Sequence, residues 1–217
     1  MGYYIDDRAT SLEDLRARLE ATDLIPSHRQ LLEEAANKMS LLKKAGVKCV
    51  ADLRARLKSK KSLASLSADS GIDADYLMLL RRVVEGFFPK PQPLKAFDWV
   101  DEETIVKLDQ SGVKNTRQLY DAASSDPNGF AENGGLRSED LSELIALADL
   151  SRVQWVSPTF ARTLVAAGFS SASEVSTANP ETLYEAVMQA NENGRFYKGK
   201  VGVRDIKRLI AAAGYVS

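Results

Sequence analysis

An all-α fold, arranged as a helical array of about three similar units, follows from three features of the sequence. Apolar residues recur at i, i+3 and i+4 along nearly the whole chain, and no stretch alternates as a half-buried strand would. Polar caps and glycines mark helix starts and stops. The same helix-and-glycine grammar then returns at intervals of roughly sixty residues.

The clearest copy runs from Val153 to Phe169. Trp155 and Val156 form an apolar wedge, Ser157 is a suitable N-cap, and Pro158 suits the first helical position, where no N–H is needed. Phe160, Thr163, Leu164 and Ala167 share one helical face, and Gly168 supplies the positive φ that ends the helix. Trp99, Val100 and Asp101 open an earlier copy that passes through Ile105 and Leu108 to Gly112. In both copies the glycine lies thirteen residues after the tryptophan.

In chain order, the first helix is expected at Thr10, with Glu13 as its capping-box partner. A second box, Ser27 with Gln30, opens a longer helix through Leu31, Leu32, Met39 and Leu42 to Gly46. A short helix covers Val50 to Leu57, and Lys58 to Lys61 reads as a solvated turn. Helices through Leu63 and Leu66 to Gly71, and from Asp73 to Val84, complete the first part. Three prolines between Pro89 and Pro93 then favour extended backbone. Beyond them come the Asp101 helix, a helix capped by Asn115, a loose stretch from Pro127 to Gly135, and a helix through Leu141, Leu144 and Leu147. After the Ser157 helix follow a capping box of Ser171 with Glu174, a helix opened by Asn179-Pro180, and a last helix from about Val203 to Gly214.

Two glycine-centred elements alternate through this order. Gly46, Gly112 and Gly168 form one set, at spacings of 66 and 56; Gly71, Gly135 and Gly202 form the other, at 64 and 67. The sequence therefore divides into an N-terminal helical lobe over residues 1–88, a proline-rich linker over 89–93, and a C-terminal lobe over 94–217. Such helix pairs cannot bury their faces alone, so neighbouring units must pack together.

Composition sets outer bounds. With 217 residues, 44% hydrophobic and 27% charged, the chain can bury a real core. The net charge of −1 gives the whole molecule no strong pull on nucleic acid or anionic membrane. Residues 91–149 nevertheless carry twelve acidic against five basic side chains, and residues 150–217 carry eight basic against five acidic. That asymmetry would suit head-to-tail association. The single cysteine, Cys49, excludes an internal disulfide and multi-cysteine metal sites. No apolar run approaches a bilayer span, the opening Met1 to Asp7 lacks signal-peptide features, and a cytoplasmic location follows by default.

Short helices joined by a turn of apolar and glycine residues resemble the helix-hairpin-helix motif. Ala148-Asp149-Leu150-Ser151-Arg152, then the hairpin and helix just described, then Asn179-Pro180-Glu181-Thr182-Leu183, are similar to a bacterial family known only as a domain of unknown function and built from tandem helix-hairpin-helix units. The resemblance implies the repeat fold and implies no activity. In nucleic-acid-binding relatives of that motif, two hairpin glycines let backbone N–H groups approach a phosphate. Here Trp155 and Ser157 stand at those positions in one hairpin, and Trp99 and Asp101 in the other. A capping side chain satisfies the donors a phosphate would need, and Asp101 adds a negative charge there.

The sequence offers no catalytic, cofactor-binding or metal-ligating set. His28, the only histidine, sits in a first helical turn. Glu33-Glu34 and Asp101-Glu102-Glu103 diverge on their helices and complement helix dipoles. Trp99 and Trp155 read most simply as hairpin core anchors, with exposure at a protein-partner surface as the alternative. The most nucleic-acid-like segment is Arg195 to Arg208, with Phe196 and Tyr197 interleaved. The leading expectation is thus a non-enzymatic interaction module that binds a protein partner or itself. Weak, sequence-independent DNA backbone binding is the alternative. Its contacts would come from Arg152, Gln154, Ser157, Arg162, Lys198, Lys200, Arg204, Lys207 and Arg208.

Overall fold

A computed structural model describes residues 2–123 and 126–217, apart from the side chain of Asn133. Met1, read above with the opening stretch, lies outside the described residues. Among those residues the chain is all-helical; the only pleated features are two isolated antiparallel bridges, Ser11 with Cys49 and Pro93 with Asn115. The chain divides into two compact units, one of Ile5–Phe88 and one of Pro89–Ser217 joined by the first residues through Tyr4.

The first unit holds α1 (Leu12–Ala21), a 3-10 helix (Pro26–Leu32), α2 (Ala35–Lys44), α3 (Val50–Leu57), α4 (Lys60–Ser70) and α5 (Ala74–Gly86). Leu12, Leu15, Leu42, Leu53, Leu66 and Leu80 are among the side chains buried together at its centre. Tyr76 closes one side, with its hydroxyl donating to the Leu31 carbonyl at 3.0 Å.

The second unit holds a 3-10 turn (Leu94–Ala96), then α6 (Glu102–Gln110), α7 (Thr116–Ala123), α8 (Pro127–Gly134), α9 (Ser138–Leu150), α10 (Pro158–Ala166), α11 (Ala172–Thr177), α12 (Pro180–Ala190) and α13 (Val203–Ala213). In this unit α7 packs on α9, α9 on α10, and α11 and α12 on α13. Tyr3 is buried here, its hydroxyl 2.7 Å from Thr116 Oγ1, and burial pushes its phenol up to about 12.

One corner is built three times from the same hydrogen bonds. Gly46, Gly112 and Gly168 have φ of 87°, 87° and 89°. Each donates to the carbonyl three residues back (Lys43, Asp109, Val165), and the next residue donates to the carbonyl five back (Val47 to Leu42, Val113 to Leu108, Phe169 to Leu164). This is the pattern of a Schellman-type helix stop, which needs a residue that tolerates left-handed backbone. The following N–H is taken in each case by a side chain four residues ahead: Lys48 by Asp52, Lys114 by Gln118, Ser170 by Glu174. Two residues further on, the first helical N–H finds an acceptor from an earlier segment. Val50 donates to the Thr10 carbonyl and Thr116 to the Gln92 carbonyl, whereas Ala172 donates to the Asp149 carboxylate at 2.6 Å.

Several expected boundaries are corrected. The first capping box is Ser11 with Asp14, one residue later than Thr10 and Glu13. The expected long helix after Ser27 is interrupted, because Glu34 takes a left-handed φ of 52° between the 3-10 helix and α2. Lys60 and Lys61 belong to α4, whose capping box is Ser59 with Ser62. The stretch read as loose forms α8: Asp126 accepts from Gly129 N–H, Pro127 takes N1, and Gly135 ends the helix at φ 58°. Ser171 caps α11, but the Glu174 carboxylate receives the Ser170 N–H rather than completing a box on Ser171. Gly202 is not the counterpart of Gly71 and Gly135. Those two have positive φ at helix ends, while Gly202 is itself the N-cap of α13, extended at φ −117°, with its N–H donated to Asp205.

A Cβ built at Gly168 meets nothing within 4 Å, so the only obstacle to substitution is backbone conformation. Gly168→Ala is expected to cost about 1–2 kcal/mol, and Gly168→Asn less. Urea unfolding of both variants checks this; an alanine variant as stable as wild type would contradict the assigned corner.

Candidate interaction site

The site grows out of the hairpin between α9 and α10. Val156 N–H donates to the Val153 carbonyl at 3.2 Å, closing a turn whose third residue is Trp155. Trp155 has φ of 71°, the left-handed value that such a turn normally reserves for glycine. For a bulky side chain that conformation is strained. Its indole is 49% exposed, with the Arg208 guanidinium 4.4 Å from the ring centre. Trp155 is therefore not a core anchor.

The earlier tryptophan behaves differently. Val100 N–H donates to the Phe97 carbonyl in the same kind of turn, but Trp99 is not among the residues with positive φ. Its ring packs edge-on against Phe97, its Nε1 donates to Glu143 at 3.1 Å, and Arg162 lies 4.5 Å from the ring centre. Trp99 is half-buried and held inward. The Asp101 carboxylate caps α6 by accepting Thr104 N–H at 3.0 Å, and that bond holds its carboxyl below the usual range.

Beside Trp155 lies an open groove of about 530 Å³, bounded by α10, α12 and the loop that leads into α13. Phe160, Val187, Met188, Tyr197 and Val201 supply its apolar lining. A smaller recess of about 160 Å³ continues it under Trp155, Arg208 and Leu209, sharing Phe160, Tyr197 and Lys200. The loop is shaped by Asn191, whose Oδ1 accepts Phe196 N–H at 2.9 Å and Tyr197 N–H at 2.8 Å, while its Nδ2 donates to the Tyr197 carbonyl at 2.7 Å. Asn193 and Gly194 make the reversal with φ of 57° and 67°. Met188, 47% exposed, and Asn191 escaped the sequence reading. The Asn191-Glu192-Asn193-Gly194 turn signal marked the loop, but nothing local marks what it encloses.

Of the residues expected to touch nucleic acid, two are buried, several are engaged with other side chains, and Lys198, Lys200 and Arg204 are exposed. Arg152 is 4% exposed; its Nε donates to Asp149 at 2.6 Å, its Nη1 donates to the Val216 carbonyl, and its guanidinium lies 4.7 Å from the Tyr120 ring centre. Gln154 is 9% exposed. Both are withdrawn from the contact set, because their side chains face the interior. Ser157 uses its hydroxyl to cap Phe160 N–H at 3.2 Å, leaving the hairpin donor occupied. Arg162 sits between the Trp99 and Phe196 rings, 4.5 and 4.7 Å from their centres. Lys207 reaches Glu181 at 3.6 Å, and Arg208 lies on Trp155. Lys198 and Lys200 are exposed on the groove rim, and Arg204 is exposed in the first turn of α13.

Fold and site together describe an all-helical chain with an exposed hairpin tip beside a lined groove. The model of the family described as a domain of unknown function (DUF4332) matches residues 100–215, more than half of the chain, and the chain belongs to that family. No curated protein and no solved structure matches it. No helix among the described residues is long and apolar enough to cross a membrane.

The Ala148–Arg152 motif lies inside the matched region, and its two charged residues tie α9 to α11 and to the Val216 carbonyl. Arg152→Met leaves the Asp149 carboxylate, only 13% exposed, without its cation and is expected to cost about 3 kcal/mol, read as a lower urea midpoint at unchanged slope. An Arg152 that served a ligand at the surface would leave stability unaltered.

Proposed function

We propose that this chain is a non-enzymatic interaction module, built on three degenerate helix-hairpin-helix-like units, that binds a protein partner or a second copy through the hairpin tip and groove of its second unit. One observation carries the reading. Trp155 is kept half exposed at a backbone position that costs a bulky side chain about 1–2 kcal/mol. Exposed aromatics beside an apolar groove are what protein interfaces use as anchors. The threefold recurrence of the glycine corner supports the repeat reading, and the capped hairpins support loss of phosphate binding.

DNA backbone binding keeps one argument, the basic segment 195–208, but its intended hairpin contacts are spent internally. A gel-shift titration with duplex and single-stranded DNA separates the two. No shift is expected at about 0.15 M salt, where surface charges more than about 8 Å apart are already screened. A shift that weakens steeply with added salt would favour nucleic acid and overturn the protein reading.

The protein reading itself is tested with Trp155→Gly. Relief of left-handed strain offsets loss of the Arg208 stacking, so stability should stay within about 1 kcal/mol of wild type. Proteins that co-purify with the tagged wild-type chain from its native host should be absent from the variant. Equal recovery with both would sink the proposal.

A further inference from the structure

We propose that the groove's occupant is helix α6 of a second copy of this chain, which makes the association head-to-tail; the inference rests on the interaction-module reading and names its partner. Two faces of the second unit are chemical complements. Residues 195–208, which form the groove's loop and the start of α13, carry six basic side chains against one aspartate. Lys198 and Lys200, on the groove rim, are exposed and have no carboxylate within 4.0 Å among the described residues. The groove they border is lined mainly by apolar side chains, with Glu192 its one carboxylate and Met188 47% exposed, and Trp155, 49% exposed, lines the adjoining recess.

Residues 98–110 carry five acidic side chains against one lysine. They form α6 and its lead-in, and the outer face of that helix presents Glu102, Glu103 and Val106, all exposed. Val106 is 45% exposed, an apolar side chain one helical turn beyond the two glutamates. Asp98 and Glu102 have no cation within 4.0 Å among the described residues. An apolar anchor with the unpaired Glu102 one turn before it meets a mainly apolar groove whose rim carries Lys198 and Lys200 against the single carboxylate of Glu192.

Because the two faces differ, the contact is heterologous: each copy offers one groove and one helix, and association continues until a ring closes or a chain extends. Rim charges of this kind govern encounter and salt dependence, while Val106, Met188 and Trp155 supply the buried area. The association should therefore be weak, concentration-dependent and reversed by salt.

The test is a charge swap read by light scattering. Wild type is expected to gain apparent mass with concentration at about 0.02 M salt and to return to monomer at about 0.5 M, where the screening length falls to a few ångströms. Lys198→Glu with Lys200→Glu is expected to stay monomeric alone, as is Glu102→Lys with Glu103→Lys. An equimolar mixture of the two variants should associate, since each restores the other's missing charge. Circular dichroism and urea midpoints like those of wild type show that both variants are folded; should either fail, Val106→Asp, which should abolish association by placing an unpaired acid in the groove, serves in its place. Wild type that remains monomeric at every concentration overturns the inference, and so does association in which the mixture gains no mass. A monomeric wild type that still recovers host proteins through Trp155 overturns the second copy as occupant and leaves the interaction module standing. A monomer that recovers nothing overturns both.

Discussion

The ion pair of the buried Arg152 with the largely enclosed Asp149 holds the second unit in register. At the other two glycine corners the opening N–H of the next helix finds a backbone carbonyl, that of Thr10 or Gln92. At the third, no strand-like segment is alongside, and the Asp149 carboxylate takes the Ala172 N–H instead. A carboxylate carried into the interior for that purpose requires a cation, and Arg152, one turn away on the same helix end, supplies it at 2.6 Å. The arginine then brings its own demands, met by the Val216 carbonyl and the face of Tyr120. One backbone substitution thus recruits a chain of contacts that reaches α7, α11 and the C-terminal end. Buried pairs of this kind add little net stability when intact and cost several kcal/mol when halved, so the pair specifies one arrangement more than it strengthens the unit.

The same economy separates the two tryptophan turns. Both turns close through one hydrogen bond, Val100 to Phe97 and Val156 to Val153. In the first, the tryptophan keeps ordinary backbone and turns inward to Phe97, Glu143 and Arg162. In the second, the backbone goes left-handed and the indole turns outward beside the groove. Strain at one of two otherwise similar positions is the observation on which the proposed interface rests.

Much of the fold was legible because helix ends obey local chemistry. Asp73, Asp101, Ser157 and Asn179 cap their helices where their sequence positions put them, since the acceptor and its N–H are two or three residues apart. The stops at Gly46, Gly112 and Gly168 were legible for the same reason. α8 was missed because three glycines outweighed the better cues, an Asp126 cap and Pro127 at N1. The break at Glu34 had no local cue at all; a glutamate in left-handed backbone is held by its surroundings, not by its own preference.

The sequence by itself determined the class of fold, most of the caps and the recurring corner, because each is settled within about five residues along the chain. Only the tertiary structure decided which charges are surface charges. Arg152 and Arg162 look like Lys198 and Lys200 in sequence, yet the first two are enclosed by Asp149, Tyr120, Trp99 and Phe196, and the last two face solvent. Apart from Asp149, three residues from Arg152, the enclosing groups lie tens of residues away along the chain, and no local pattern around either arginine records them.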